Sequence, residues 1–200
     1  MDRRLVLDIE TKKTFDEVGG RDHLDLLEIT VVGVYDYAAE EYRTYEEREM
    51  GVLQNVLINA SLIVGFNHVG FDFPVLQPYF SIDVKILPVF DIMLDLQAKL
   101  GHRIGLDSVA TATLGVGKTG HGIDAIRFYR EGKIKELKEY CLNDVKVTKE
   151  VFDYGIANGK VHYFSKIGNT KKELSVEWKK YKSANLTPSV HAEPAQYKLF

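Results

Sequence analysis

The sequence predicts an α/β fold, and three observations carry that reading. Short apolar, β-branched runs recur in the first half of the chain, at residues 4–9, 26–35 and 61–66. Segments with helical spacing follow them, the longest being an amphipathic stretch from Lys133 to Tyr154. The chain has 200 residues, 45% hydrophobic and 28% charged, enough for one well-buried domain or a domain with a small appendage.

Taken in order, Arg4 to Ile9 is strand-like, and Thr11 to Asp25, with Gly19-Gly20, is a long polar loop. Leu26 to Tyr35 reads as a central strand, and Glu41 to Tyr45 pairs with it across an acidic turn. Glu46 to Asn59 has helical spacing through Met50, Leu53, Val56 and Leu57. Ser61 to Phe66 is a buried strand ending at Asn67. Phe73 to Phe80 follows as a short helix that tolerates Pro74 in its first turn. Val84 to Phe90 is a further strand candidate, and Asp91 caps a helix running to Leu100. Leu106 to Leu114 and Ile123 to Tyr129 read as short helices; Gly155 and Gly159 end the long one. Val161 to Ile167 and Leu174 to Trp178 alternate and read as a hairpin joined through Gly168 to Lys172. Residues 183–195 carry two prolines and few core-forming side chains, as a flexible tail does.

The formal charge is −3, so the chain is no polycation, and a nucleic-acid role must rest on local basic patches and bound metal. The single cysteine, Cys141, excludes an internal disulfide and a cysteine-rich zinc site and suits a reducing compartment. Only three apolar residues separate Met1-Asp2-Arg3-Arg4 from Asp8, too few for a signal peptide, and no apolar run is long enough for a bilayer. A cytoplasmic protein without a membrane partner is the expectation.

The chemistry concentrates in five residues. Asp8 and Glu10 alternate along the first strand and so point to one face. Two carboxylates forced together repel unless a cation neutralises them, and a hard divalent ion such as Mg²⁺ or Mn²⁺ prefers their oxygens. Asp72 lies just past a strand end and opens a helix. Tyr140 and Asp144 lie one turn apart on one face of the long helix, which can carry Asp144 against Asp8 and Glu10.

Asp-Ile-Glu-Thr at residues 8–11, Asn-x-x-x-Phe-Asp at 67–72 and Tyr-x-x-x-Asp at 140–144 resemble the three exonuclease motifs of the DEDD superfamily. The resemblance spans roughly residues 5–154, and Glu139, where the histidine subclass carries its histidine, favours the tyrosine subclass. It implies a ribonuclease-H-like mixed β-sheet flanked by helices and a 3′→5′ exonuclease using two metal ions. Carried over, Asp8, Glu10 and Asp144 hold one ion, Asp8 bridges to the second, and Asp72 supports the second through water. Tyr140 orients the attacking water. Two ions about 4 Å apart suit in-line displacement at phosphorus.

Other signals are weaker. Gly115-Val116-Gly117-Lys118-Thr119 mimics a phosphate loop, but Ala112 stands where a glycine is required, so ATP binding is rejected. Lys118 and His121 belong to a loop near the site that could touch phosphate, or to a surface turn. Thr11 and Asn67 are further candidate nucleic-acid contacts, Asn67 and Phe71 structural or substrate-supporting. His68 is expected to be solvent-exposed or hydrogen-bonded, and Cys141 a small packed side chain. Lys166, Lys171, Lys172, Lys179, Lys180 and Lys182, interspersed with Tyr163, Phe164, Trp178 and Tyr181, suit a single strand, or a solvated hairpin sealing the domain edge. Gln196, Leu199 and Phe200 resemble a bacterial sliding-clamp-binding motif on a flexible tail, against the alternative that they pack on the protein itself.

The expected organisation is an exonuclease domain at residues 1–158, a basic hairpin appendage at 159–182 and a tail at 183–200. The expected activity removes nucleoside 5′-monophosphates from single-stranded DNA 3′ ends in replication or repair. RNA 3′-end trimming and a non-cleaving nucleic-acid or clamp-binding module are the alternatives.

Overall fold

The computed structural model describes residues 3–116, 122–165 and 168–182. Strand β1 (Arg4–Thr11) carries Leu5, Val6, Leu7 and Ile9, all buried, and pairs antiparallel with β2 (Ile29–Asp36), which pairs with β3 (Glu41–Glu46). Helix α1 (Met50–Ile58) leads into β4 (Leu62–Gly65), which lies parallel to β1. After α2 (Asp72–Leu76), β5 (Val89–Asp91) adds parallel to β4. The resulting mixed sheet has the order β3-β2-β1-β4-β5, so β1 is central.

The alternation of β1 assigns its two faces. Leu5, Leu7 and Ile9 join one core cluster with α1 and α2. Val6 points to the other, with residues of α3 (Ile92–Leu100), α4 (Leu106–Leu114) and α6 (Ile134–Asn158). Asp8 and Glu10 share Val6's side of the strand and therefore face α6. Helix α5 (Gly122–Arg130) packs against α6 through Ala125, which clusters with Leu137, Tyr140 and Cys141.

Several expected elements change. The polar loop 11–25 folds partly into 3-10 turns at Asp16–Val18 and Leu24–Leu26, and Glu28, at φ 58°, delays the strand to Ile29. Glu47–Glu49 is likewise a 3-10 turn ahead of α1, and Gln77–Tyr79 one after α2. The strand expected over 84–90 shrinks to Val89–Asp91. Asp83 accepts from the Lys85 N–H at 2.9 Å and turns Val84–Ile86 into a 3-10 helix, and Pro88 has no N–H for a ladder.

Helix α6 continues through Gly155 and ends at Gly159, whose φ of 67° is left-handed. Gly155 serves packing: a Cβ there would fall 2.0 Å from Trp178 Cε3. The hairpin is β6 (Lys160–Phe164) with β7 (Lys171–Ser175), so its second strand begins three residues earlier than expected and takes in Lys171 and Lys172, which the sequence pattern assigns to the turn. Trp178 belongs to a 3-10 helix, Trp178–Tyr181, rather than to the second strand, because its ring is buried over α6 and its Nε1 donates to Asp95 Oδ2 at 2.8 Å. Val161, Val176 and Trp178 share the core of α3, α4 and α6. Among the described residues no helix is long and apolar enough to cross a membrane. Lys166 and the expected tail, residues 183–200, lie outside the described residues.

Candidate active site

The site begins at a glycine. Asp8 pairs with Gly33 across β1 and β2, and Glu10 with Val31. A Cβ on Gly33 would come within 2.8 Å of Val145 Cγ2 and 2.9 Å of Cys141 Sγ, both on α6. The bare backbone lets α6 sit directly on the sheet, and the Cys141 thiol reaches the Asp8 carbonyl at 3.6 Å. With α6 seated, Tyr140 and Asp144 are buried on its inner side. The register of β1 and β2 shifts between Glu10 and Thr11, a bulge that bends the strand just after the acidic pair.

Asp72, 4% exposed, opens α2 after a tight loop from β4. Asn67 adopts φ 69° in that loop, and a Cβ on Gly70 would lie 2.9 Å from Asn67 Oδ1. Asp8, Glu10, Asp72, Tyr140 and Asp144 line one cleft of about 210 Å³, together with Ile9, Phe66, Asn67, Phe71 and Gly122. Three separate elements, β1, α2 and α6, thus bring the five expected residues together.

The electrostatics follow from crowding. Burial pushes the Tyr140 phenol above its ordinary range, and the charges of Asp144, Glu10, Asp8 and Asp124 push it the same way. Its hydroxyl is buried without a hydrogen-bond partner among the described residues, an uncommon state for a phenol facing a polar cleft. Burial, then Asp8, Glu10 and Asp144, also raise the Cys141 thiol well above its usual value, so it stays protonated and packed. Oxygens of Asp8 and Glu10 and the Cys141 sulfur lie within 4.8 Å of one another. A donor set of carboxylate oxygens beside an orphaned hydroxyl fits a hard divalent cation; the protonated thiol adds no ligand of that class.

The other expected contacts divide. Asn67 lines the cleft, and its Oδ1 accepts from Arg103 Nη2 at 2.7 Å. Thr11 does not line it: beyond the bulge its hydroxyl donates to the Lys13 carbonyl at 3.1 Å. Lys171, Lys172, Lys179 and Lys180 are exposed on the hairpin side and do not line the cleft. Lys118, His121, Gln196, Leu199 and Phe200 lie outside the described residues.

His68 overturns its expectation. It is fully buried, neither ring nitrogen makes a hydrogen bond among the described residues, and it packs edge-on against Phe73. Gly65 makes room for it: a Cβ there would fall 2.4 Å from Nδ1. Burial lowers its basicity against the opposing pull of Asp91, whose Oδ2 lies 3.8 Å away.

Sequence reasoning missed Gly33, Phe66 and Arg103. A glycine inside the β-branched run Thr-Val-Val-Gly-Val signals close backbone approach and could have exposed the first. Nothing local marks Arg103, which meets Asn67 only through the fold.

The RNase_H_2 family model, described as RNase_H superfamily, matches residues 5–156. That span takes in every residue that lines the cleft. Comparison with curated proteins found no match.

Proposed function

The chain belongs to the RNase H superfamily, generally one of hydrolytic nucleases acting on nucleic acid, and from that premise we propose a metal-dependent 3′→5′ exonuclease of the DEDD tyrosine subclass. The observation that supports it is the convergence of four carboxylates and an unpartnered phenol in one cleft. Asp8, Glu10 and Asp144 would hold one Mg²⁺ or Mn²⁺, and Asp8 with Asp72 a second. When bound, such ions supply Lewis-acid polarisation of the phosphodiester and an acidified water.

The chain's own groups do the rest. Tyr140, kept neutral, can donate its O–H to the attacking water and hold it in line with the terminal phosphorus. Water oxygen bonds to phosphorus, the P–O3′ bond breaks, and the proton ends on the departing 3′ oxygen. The product is a nucleoside 5′-monophosphate and a strand one nucleotide shorter. Arg103, held by Asn67 at the cleft, offers its remaining N–H groups to a backbone phosphate. The exposed lysines of the hairpin, which lie outside the cleft, are proposed as further phosphate contacts for a single strand.

DNA is the proposed substrate because residues 196–200 resemble a clamp-binding segment, and unaltered clamp affinity after their deletion would remove that support. The deciding experiment incubates matched 5′-labelled single-stranded DNA and RNA with Mg²⁺ or Mn²⁺, beside an Asp144→Ala control. Shortening from the 3′ end on DNA, absent in the control, is the expected result. A ladder on RNA alone reassigns the enzyme to RNA trimming, and none on either rejects the exonuclease.

A further inference from the structure

Behind the cleft sits an acidic side chain that the exonuclease reading leaves idle. Asp91 ends β5 opposite Gly65 of β4 and is 5% exposed. Its carboxylate accepts three backbone N–H groups: Asn67 at 2.9 Å, Val69 at 3.0 Å and Leu94 at 3.2 Å. The Leu94 bond caps α3. The other two grip the loop between β4 and α2, the loop that presents Asp72.

That loop has little slack. Its turn is drawn around the left-handed Asn67, Gly65 and Gly70 yield space to His68 and Asn67, and the Phe73 N–H donates to the His68 carbonyl at 2.9 Å. The first turn of α2, with Asp72 in it, is therefore tied to the segment Asp91 holds. Hydrogen bonds from backbone N–H to a buried carboxylate are strong ones, and deleting the acceptor strands donors away from water. The Asn67 and Val69 N–H groups go one to each oxygen of Asp91, Oδ1 and Oδ2, so both arms of the carboxylate hold the loop.

We infer that Asp91 is a positioning residue, which holds backbone 67–69 so that Asp72 faces the divalent-cation site of the cleft and thereby sets the affinity for that cation. The inference rests on the metal-dependent reading proposed above. If Asp91 were only a helix cap, its loss would lower thermal stability and leave cation binding alone.

Asp91→Ser separates the two roles, because a serine keeps an N-cap acceptor for Leu94 but has one short hydroxyl for the loop. The probe is Mn²⁺ alone, its free signal followed by electron paramagnetic resonance during titration of the full-length protein. Asp91→Ser is expected to weaken Mn²⁺ binding about 10–100-fold, the loss typical when a group behind a ligand is removed. In an Asp72→Ala background the same change should cost less than about twofold, since both act on one ligand. Leu96→Ala, a buried core change in α3, should lower Tm comparably with Mn²⁺ affinity intact. Wild-type affinity in Asp91→Ser, or full additivity with Asp72→Ala, overturns the inference. Asp91→Asn replaces the serine variant if that variant does not fold. A wild-type protein that cleaves neither DNA nor RNA overturns the exonuclease alone, because the Mn²⁺ titration still decides Asp91.

Discussion

Asp8 and Gly33 stand opposite each other on neighbouring strands, and the missing side chain of the second is what lets α6 close over the first. Gly33→Ala must push Val145 and Cys141 aside, lifting Tyr140 and Asp144 away from β1. Turnover should fall at least about tenfold and stability by about 1–3 kcal/mol, the usual range for overpacking. Urea denaturation and an exonuclease assay on the same preparation measure both; unchanged values would mean that the helix yields without cost.

Asp144 is 1% exposed among like charges. Asp144→Asn should remove turnover by more than the roughly 10–100-fold lost when a group behind a metal ligand is changed. In chelator it should melt higher than wild type, because one repelling charge is gone. Mg²⁺ at a hundred times its Kd should stabilise wild type by about 2.7 kcal/mol, and the variant by clearly less. Scanning calorimetry with and without metal reads the two stability effects, and the exonuclease assay reads the turnover.

The Tyr140 hydroxyl has a different signature. Tyr140→Phe should leave neutral-pH stability unchanged or raise it by about 1–3 kcal/mol, the cost of an unpaired buried polar group, while turnover drops about 10–100-fold. Its folded pKa is raised, so the proton stays on after the unfolded chain, near its ordinary value of about 10, has begun to lose it. Stability should therefore decline as pH climbs above about 10, and less steeply in Tyr140→Phe. Unfolding free energies between about pH 9 and 11 test the sign.

His68 works from the acid side. Its folded pKa is lowered by burial, so the folded form stays neutral where the unfolded form, near about 6.5, takes a proton. Stability should fall as pH drops below about 6.5, at a limiting slope of about 1.4 kcal/mol per pH unit for one proton. His68→Phe should flatten that limb, and a limb of unaltered slope would assign the acid loss to the carboxylates.

Local pattern carried much of this. The helix expected over 106–114 occupies those residues because Gly105 and Gly115 bracket it, the latter in the left-handed region. The alternating acids of β1 pointed to one face because a strand allows nothing else. What stayed hidden depends on partners far along the chain. Gly155 reads as a helix stop until Trp178 is seen lying over it, and Trp178 reads as strand until Asp95 is seen holding its ring nitrogen. His68 follows a strand end and reads as exposed or hydrogen-bonded; only the space above Gly65 reveals that it is enclosed.

Of the elements that line the cleft, β1 comes first along the chain and α6 last. A nascent or truncated chain ending before Tyr140 would carry Asp8, Glu10 and Asp72 but neither the phenol nor Asp144. On the proposed reading such a fragment holds three of the four acids and no complete centre, so tight binding of a divalent cation should require the residues of α6.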